Sequence, residues 1–423
     1  MYAVLGCHHW LVVGVVWRTV GATSTITTTV VWLALGVPTR YCSYSIWLVV
    51  ARNPLLAHCQ LRSIVGQWRY RWEHCRSVFL FVVAGPGYHI VTAVIPGSYH
   101  IIIVLLYLQL LCPLLKNGVC MPRHIAITGA SGLIGSALSH ALIARGDHVV
   151  AFTRNPQHQG TLPTAAQRAL WNPRDTHATT TALTGCDTIV NLVGASIAGT
   201  RWTPAYKQTL VTSRVNATQQ LLDAVAQMPH KPTTFISSSG AGYYGINAIA
   251  TTEAAPAGAD FLAKLCVDWE SAATPAATLG MRSVILRTGV VLDSTSGALP
   301  LMALPFRFFV GGPVLPGTQM ISWIHITDMV QLLLWAIDNE HATGVYNACA
   351  PHPVNNHTLS NAIAQRLHRP SWLPVPQFAL RLLFGEMADA LLIGGQSVLS
   401  ARLAAAGFSF RYPTIDVALA NVW

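Results

Sequence analysis

The sequence predicts a doubly wound α/β protein over residues 121–423: a parallel sheet covered by helices on both faces, with a smaller C-terminal cap. Three observations carry this. Short apolar runs of strand length alternate with segments of helical period, the rhythm of a parallel sheet. A glycine-rich turn, Gly129-Ala130-Ser131-Gly132-Leu133-Ile134-Gly135, stands between the first such strand and the first such helix. The composition also changes sharply near residue 121.

Taken in order, His124–Thr128 is a short apolar run and reads as a buried strand. Leu133–Arg145 follows with Ile134, Leu138, Ala141 and Leu142 on one helical face, and Gly146-Asp147 ends it. His148–Thr153 resumes a strand. Thr188–Val193 is the next, closed by Gly194, followed by a helix over Leu210–Ala226. Thr234–Ser238 is a strand ending in the turn Ser237-Ser238-Ser239, and Ala259–Ala273 is helical. Ser283–Leu286 then runs into Arg287-Thr288-Gly289-Val290-Val291. The reading places a dinucleotide-binding domain at 121–295, to which 321–350 return. Proline and glycine punctuate 296–320 and 351–377, so 296–320 and 351–423 are assigned to the cap.

Strand, glycine turn, helix, strand is the setting in which such glycines bind a dinucleotide. Gly129 allows the tight turn, Gly132 lets backbone approach the pyrophosphate, and Gly135 lets helix pack on strand. The exposed N–H groups around Ser131, Leu133 and Ile134 and the helix dipole favour a phosphate there. The second strand ends Phe152-Thr153-Arg154-Asn155, with no acid to accept hydrogen bonds from a ribose 2′-hydroxyl. Arg154 instead offers a cation for a 2′-phosphate, which favours NADP(H) over NAD.

The net charge of +10 raises the question of an anionic macromolecular partner. Residues 1–120 contain eight Lys/Arg and one acid, Glu73, which leaves 18 bases and 15 acids after them. The basic excess thus lies outside the main body, and nothing there points to nucleic acid. Six of the nine cysteines also precede residue 121, and Cys186, Cys266 and Cys349 are too scattered for a zinc site or a disulfide framework. Reduced cysteines and a dinucleotide site together point to the cytoplasm.

Residues 1–120 are apolar, rich in Trp, Cys, His and Tyr, and show no sustained period. Residues 19–39 and 77–115 lack Lys, Arg, Asp and Glu and are long enough to span a bilayer, with an arginine-rich loop between. A two-span hairpin with that loop inside would put residue 121 onward outside, away from cytosolic dinucleotide. Three readings stay open: a membrane anchor, a soluble extension, or a native start at Met121 with nothing before it belonging to the protein. Met121-Pro122-Arg123-His124 reads as a natural beginning for the first strand, which favours the last.

Several motifs recur together in one group: TGASGLIG (128–135), NLVGASI (191–197), RW (201–202), SR (213–214), SSSGAGYYG (237–245), WE (269–270), RTGVVL (287–292) and WIHITD (323–328). With them the chain resembles the atypical NAD(P)-dependent epimerase family of extended short-chain dehydrogenase/reductases, which have a Rossmann-type core. GEMADALLIGGQSV (385–398) and AAGFSFRYP (405–413) resemble that family's small C-terminal domain of unknown function. The resemblance covers 121–423 and none of 1–120. It implies cofactor contacts at Thr153 and Arg154, at Leu192, Val193 and Gly194, at Arg214, and at Val290 and Val291.

The resemblance also exposes a departure. Short-chain dehydrogenases usually work through Tyr and a Lys four residues later, the Lys lowering the phenol's pKa. No YxxxK occurs here; counted back from Trp269-Glu270, the pair falls on Leu262 and Cys266. Ser239, Tyr243, Tyr244 and Lys264 are the remaining candidates to orient a substrate or move a proton. Against this, Ser in a turn often bonds only backbone, and paired Tyr often line apolar walls. Asp328 is expected to cap a helix over Met329–Asn339. His341, His352 and His357 lack metal-ligand spacing, so no metal is expected. The aromatics Phe306, Phe308, Phe309, Trp372 and Phe378 imply either a packed cap core or a partly hydrophobic substrate. Two functions fit: an NADP-dependent oxidoreductase or epimerase acting on an unidentified small molecule, or a non-catalytic NADP(H)-binding scaffold.

Overall fold

The computed structural model describes residues 122–157 and 160–423, and within residues 1–120 only six strand backbones. The chain divides into two compact units, Met1–Cys120 and Met121–Trp423. In the first, Tyr2–Ala3, Trp10–Val16 and Val30–Gly36 pair antiparallel; Ser45–Ala51 pairs parallel to Ser77–Gly85, which pairs antiparallel to Tyr88–Val94. The anchor, extension and start-site readings otherwise fall on residues outside the described ones. Among the described residues no helix is long and apolar enough to cross a membrane.

The second unit is built on seven parallel strands: β1 (His124–Thr128), β2 (His148–Thr153), β3 (Gln167–Leu170), β4 (Thr188–Asn191), β5 (Thr234–Gly240), β6 (Arg282–Thr288) and β7 (Gly344–Ala348). Their order is β7-β6-β5-β4-β1-β2-β3. The order reverses between β1 and β4, which opens a crevice at the carboxyl ends of those strands. Register keeps these ends level: Thr128 lies beside Asn191, and Asn191 beside Ser237.

Side-chain alternation explains why both faces are covered. Ile125 and Ile127 pack with α1 (Leu133–Arg145) and α7 (Ile326–Asp338), whereas Ala126, Val150 and Phe152 face Leu221, Leu222 and Val225 on α4 (Ala217–Ala226). Both sets are buried, as continuous apolar strands require. Before α4 the chain forms α2 (Thr176–Leu183), α3 (Pro204–Val211) and a π-helical turn, Thr212–Asn216. The helix therefore starts six residues before the expected Leu210, where Thr203 caps the Tyr206 N–H and Pro204 fills the first turn. The edge strands β3 and β7 were not anticipated; β3 reads QRAL and lacks an apolar run.

α5 (Phe261–Ala273) lies against β5 and the loop after it. Beyond β6, α6 (Ala298–Arg307), α8 (Asn356–Leu367) and α10 (Ile415–Val422) share one core through Leu299, Phe306, Leu359, Ile363, Ile415 and Leu419. Of the five aromatics expected to pack or to meet a substrate only Phe306 is buried; Phe308, Phe309, Trp372 and Phe378 are 54–74% exposed. The packed-core reading of those four residues is therefore wrong.

A second correction concerns α7. Its cap is His325, whose Nδ1 accepts from the Thr327 N–H at 3.1 Å. The helix consequently begins at Ile326. Asp328, fully buried, instead accepts from the backbone N–H groups of Arg411 and Tyr412 at 2.8 and 2.9 Å, latching the C-terminal segment to the sheet domain.

Candidate functional site

The glycine turn is shaped by close approaches that only glycine permits. Gly129 has φ +66°, and a Cβ there would lie 2.7 Å from the Leu192 carbonyl oxygen. A Cβ on Gly135 would lie 2.5 Å from the Gly129 oxygen. The turn is thus pressed against the end of β4 on one side and the first turn of α1 on the other. No side chain caps the α1 N-terminus at Gly132, and its first turn holds no acid. Ser131 and Gly132 are exposed, and Leu133 and Ile134 are half-buried. Unsatisfied N–H groups of a first helical turn, open to solvent, fit a phosphate.

At the end of β2, Thr153 is buried and its Oγ1 accepts from the Asn155 N–H. Arg154 is exposed and makes no hydrogen bond or ion pair among the described residues. Leu192 and Val193 are half-buried at the end of β4, where the Leu192 N–H donates to the Thr128 carbonyl. Val290 and Val291 belong to a short strand, Val290–Leu292, paired parallel to Trp323–His325. The structure thus brings the glycine turn, Leu192–Gly194 and Arg214 together at one edge, with Arg154 at the neighbouring strand end.

Arg214 comes from the π-helical turn and is 7% exposed. Its guanidinium lies against Gly194, where a Cβ would stand 2.9 Å from Cζ. It donates to the Ala195 and Leu210 carbonyls at 2.8 and 3.3 Å and sits 5.3 Å from the centroid of Trp269. None of the ion pairs among the described residues includes it. Burial pushes its pKa down.

The candidate catalytic groups separate into three situations. Ser239 is buried and its Oγ donates to Glu270 Oε1 at 2.7 Å. Glu270 is gripped at both oxygens by Arg287, at 2.8 Å each. Arg287 also donates to the Tyr244 hydroxyl at 2.9 Å, and that hydroxyl donates to Asn347 at 2.7 Å. Burial opposes the Arg287 charge, but the hydrogen bonds and charge of Glu270 outweigh it and raise the guanidinium's pKa. Burial likewise raises the Tyr244 phenol, against the pull of Arg287. Ser239 and Tyr244 are thus both tied into one buried network.

Tyr243 is different. It is half-buried, the Arg287 guanidinium stacks 3.2 Å from its ring centroid, and its hydroxyl has no hydrogen-bond partner among the described residues. Lys264 is corrected as a site residue. Helical phase points it away from Leu262, Cys266 and Trp269, which face inward; its side chain is 77% exposed and pairs with Asp268 at 3.8 Å. Leu262 and Cys266 lie where the usual dyad would be. Leu262 packs beneath Gly242, and the Cys266 thiol lies beside Gly240, its pKa pushed up to about 11 by burial.

Sequence reasoning gave no role to Thr128, Asn191, Glu270 or Arg287. Thr128 Oγ1 donates to Asn191 at 2.7 Å, and Asn191 donates to Thr218 and Ser237, knitting the strand ends together. The signal was a polar residue closing each apolar strand. Among the described residues no group of His, Cys, Asp and Glu could hold a metal ion.

Comparison with known proteins agrees with this architecture. Residues 125–349 match the NAD dependent epimerase/dehydratase family, and 375–422 match a domain of unknown function. An epimerase family protein of Mycobacterium leprae is 40% identical over 296 residues, covering 70% of this chain and 94% of its own. The epimerase family protein YfhF of Bacillus subtilis is 36% identical, covering 71% and 97%. Among solved structures, human epimerase family protein SDR39U1 with NADPH superposes with a TM-score of 0.64 at 31% identity, over 71% of this chain and 99% of that one. On these matches and the fold that underlies them, the chain belongs to the NAD dependent epimerase/dehydratase family.

Proposed function

We propose that the chain binds NADP(H) across the carboxyl ends of β1, β2 and β4 and uses it in oxidoreductase or epimerase chemistry on a small molecule, without a Tyr–Lys dyad. The observation that carries this is the pressed glycine turn at the uncapped, acid-free start of α1, beside the unpartnered Arg154. The N–H groups of Leu133 and Ile134 would take the diphosphate and Arg154 the 2′-phosphate. Leu192, Val193, Gly194, Val290 and Val291 would wall the cleft, and Arg214 would face an anionic portion of the ligand. The relative solved with NADPH supports the same cofactor. When bound, the nicotinamide supplies or accepts hydride. A cytoplasmic setting suits this cofactor, and the partner is a small molecule rather than nucleic acid.

Within this reading Tyr243 is the proton donor or acceptor. Its hydroxyl is the free one, and the Arg287 guanidinium on its ring stabilises a developing phenolate. Ser239 keeps lone pairs to accept from a substrate hydroxyl while its own hydroxyl donates to Glu270. A second reading, a non-catalytic NADP(H)-binding scaffold, is favoured by Leu262 and Cys266 at the dyad positions and by the commitment of Ser239 and Tyr244 to a buried network. The test is NADPH titration together with single-turnover hydride transfer over a panel of carbonyl substrates. Tyr243→Phe should lower transfer by about 10²–10⁴ with NADPH affinity unchanged, and Ser239→Ala by less. Tight NADPH binding without turnover would select the scaffold; failure to bind NADPH would overturn both.

A further inference from the structure

The cap carries an apolar surface that its own core does not use. On α6, Leu301, Leu304 and Phe308 follow a helical stripe that is 47–69% exposed, opposite the buried Leu299, Ala303 and Phe306. The stripe continues across hydrogen-bonded neighbours. The Trp372 indole donates to the Phe309 carbonyl at 2.9 Å, and Leu373 bonds Gly311. Leu315 bonds Val375, and Gln377 donates back to the Leu315 carbonyl at 3.1 Å. That joins α9 (Gln377–Phe384), whose Phe378, Leu382 and Leu383 are 65–75% exposed. Two helices and the hydrogen-bonded loops between them thus expose many large aliphatic and aromatic side chains, more than scattered single residues.

Its charge is one-sided. No Asp or Glu occurs in residues 294–327 or 341–385. Arg307 is exposed and unpartnered among the described residues, and the Arg369 guanidinium sits 4.5 Å from the Phe309 ring centroid. Arg381 stands on α9 beside the exposed leucines, bonded to Asp389 at 2.9 Å. Leu, Phe and Trp beside the unpaired Arg307 and the ring-stacked Arg369, with Asp389 pairing Arg381 at one border, match the interfacial zone of an anionic bilayer.

We propose that this face of the cap is a peripheral membrane-binding surface for anionic phospholipid, with the apolar side chains entering the headgroup boundary and Arg307 holding a phosphate. The test uses the full chain with phosphatidylglycerol-containing or pure phosphatidylcholine vesicles, read by peptide-resolved hydrogen exchange. Local readout separates this face from anything residues 1–120 do. Amides of 301–315 and 372–383 should gain protection with anionic vesicles, and high salt should weaken it. Phe378→Asp with Leu382→Asp should lower vesicle partitioning through this face roughly a hundredfold or more, and Arg307→Glu by less. Both sites are solvent-exposed, and unchanged NADPH binding confirms an intact fold. Equal protection by neutral vesicles would overturn the proposal. So would protection that needs only a higher protein concentration, or none in these peptides.

Discussion

Asp328→Ala should loosen the C-terminal segment and destabilise the second unit. The carboxylate is fully buried and accepts two backbone N–H groups, from Arg411 and Tyr412, at 2.8 and 2.9 Å. Removing it strands both donors, each costing about 1–3 kcal/mol when buried without a partner. Allowing for some rehydration of the freed segment, the loss is about 3–5 kcal/mol. At 2–4 °C per kcal/mol for a unit of this size, Tm should fall by roughly 6–20 °C. Asp328→Asn keeps one oxygen and turns an NH2 group toward the other donor, so it should fall between. Thermal unfolding gives the magnitude, and hydrogen exchange locates it, with amides of 408–415 losing protection first. A Tm within about 2 °C of the parent, with those amides still protected, would refute the latch and return Asp328 to a capping role.

Four further outcomes follow from the site. Arg154→Ala should reduce the preference for NADPH over NADH by about 10–100-fold, since a charge-assisted phosphate contact is worth about 1.5–3 kcal/mol; fluorescence titration of both cofactors checks it. Gly135→Ala should abolish cofactor binding, because its Cβ would meet the Gly129 oxygen at 2.5 Å and force the turn off β1; equilibrium dialysis against NADPH reads this directly. Arg287→Met should cost about 3–5 kcal/mol by leaving Glu270 buried and unpaired, measured by urea unfolding, whereas Arg214→Met should spare stability and weaken NADPH. Burial lowers the folded-state pKa of His325 below its usual 6.5, with Asp328 and Asp293 opposing and Arg411 assisting. Between those two values the unfolded chain binds more protons, so stability is full above about pH 6.5 and declines as pH falls through that window. In His325→Asn, which retains a cap acceptor, unfolding followed from pH 7.5 to 5 should lose that component of the decline.

The sheet was legible because its strands are short apolar runs bounded by turn residues, and α1 agreed with the sequence at both ends, Leu133 and Arg145. The edge strand Gln167–Leu170 was not legible: its side chains are half-exposed and it exists through pairing with β2. The start of α3 was written in Thr203-Pro204 but masked by the π-helical turn that interrupts the helical period. WIHITD presented two polar side chains for one capping job, and only packing decides that His325 takes it while Asp328 reaches the C-terminal segment. The glycine turn was readable because close backbone approach admits no other residue. The fate of Ser239 was not, since its partner Glu270 stands 31 positions later on α5.

The two buried arginines of the site show how such a fold can keep a cation after losing its lysine. Arg287 is paired: Glu270 holds it at two points, and what it offers beyond that network is its face on the Tyr243 ring. Arg214 has two carbonyl oxygens, the Ser213 hydroxyl and an aromatic face, and none of the ion pairs among the described residues includes it. A buried guanidinium without a counter-charge is costly to hold in the free chain, and the lowered pKa expresses that cost. In the proposed function an anion arriving beside Gly194 would relieve it, so binding and relief of the buried charge would be one event. Cys266, at the position of the usual lysine, lies within the field of Arg214. The unpaired positive charge beside Gly194 thus comes from the π-helical turn, and not from α5. A lysine on α5 would serve both a phenol and a ribose. In the proposed function a guanidinium packed on Gly194 would serve the ligand alone, and proton transfer would fall to the free hydroxyl of Tyr243.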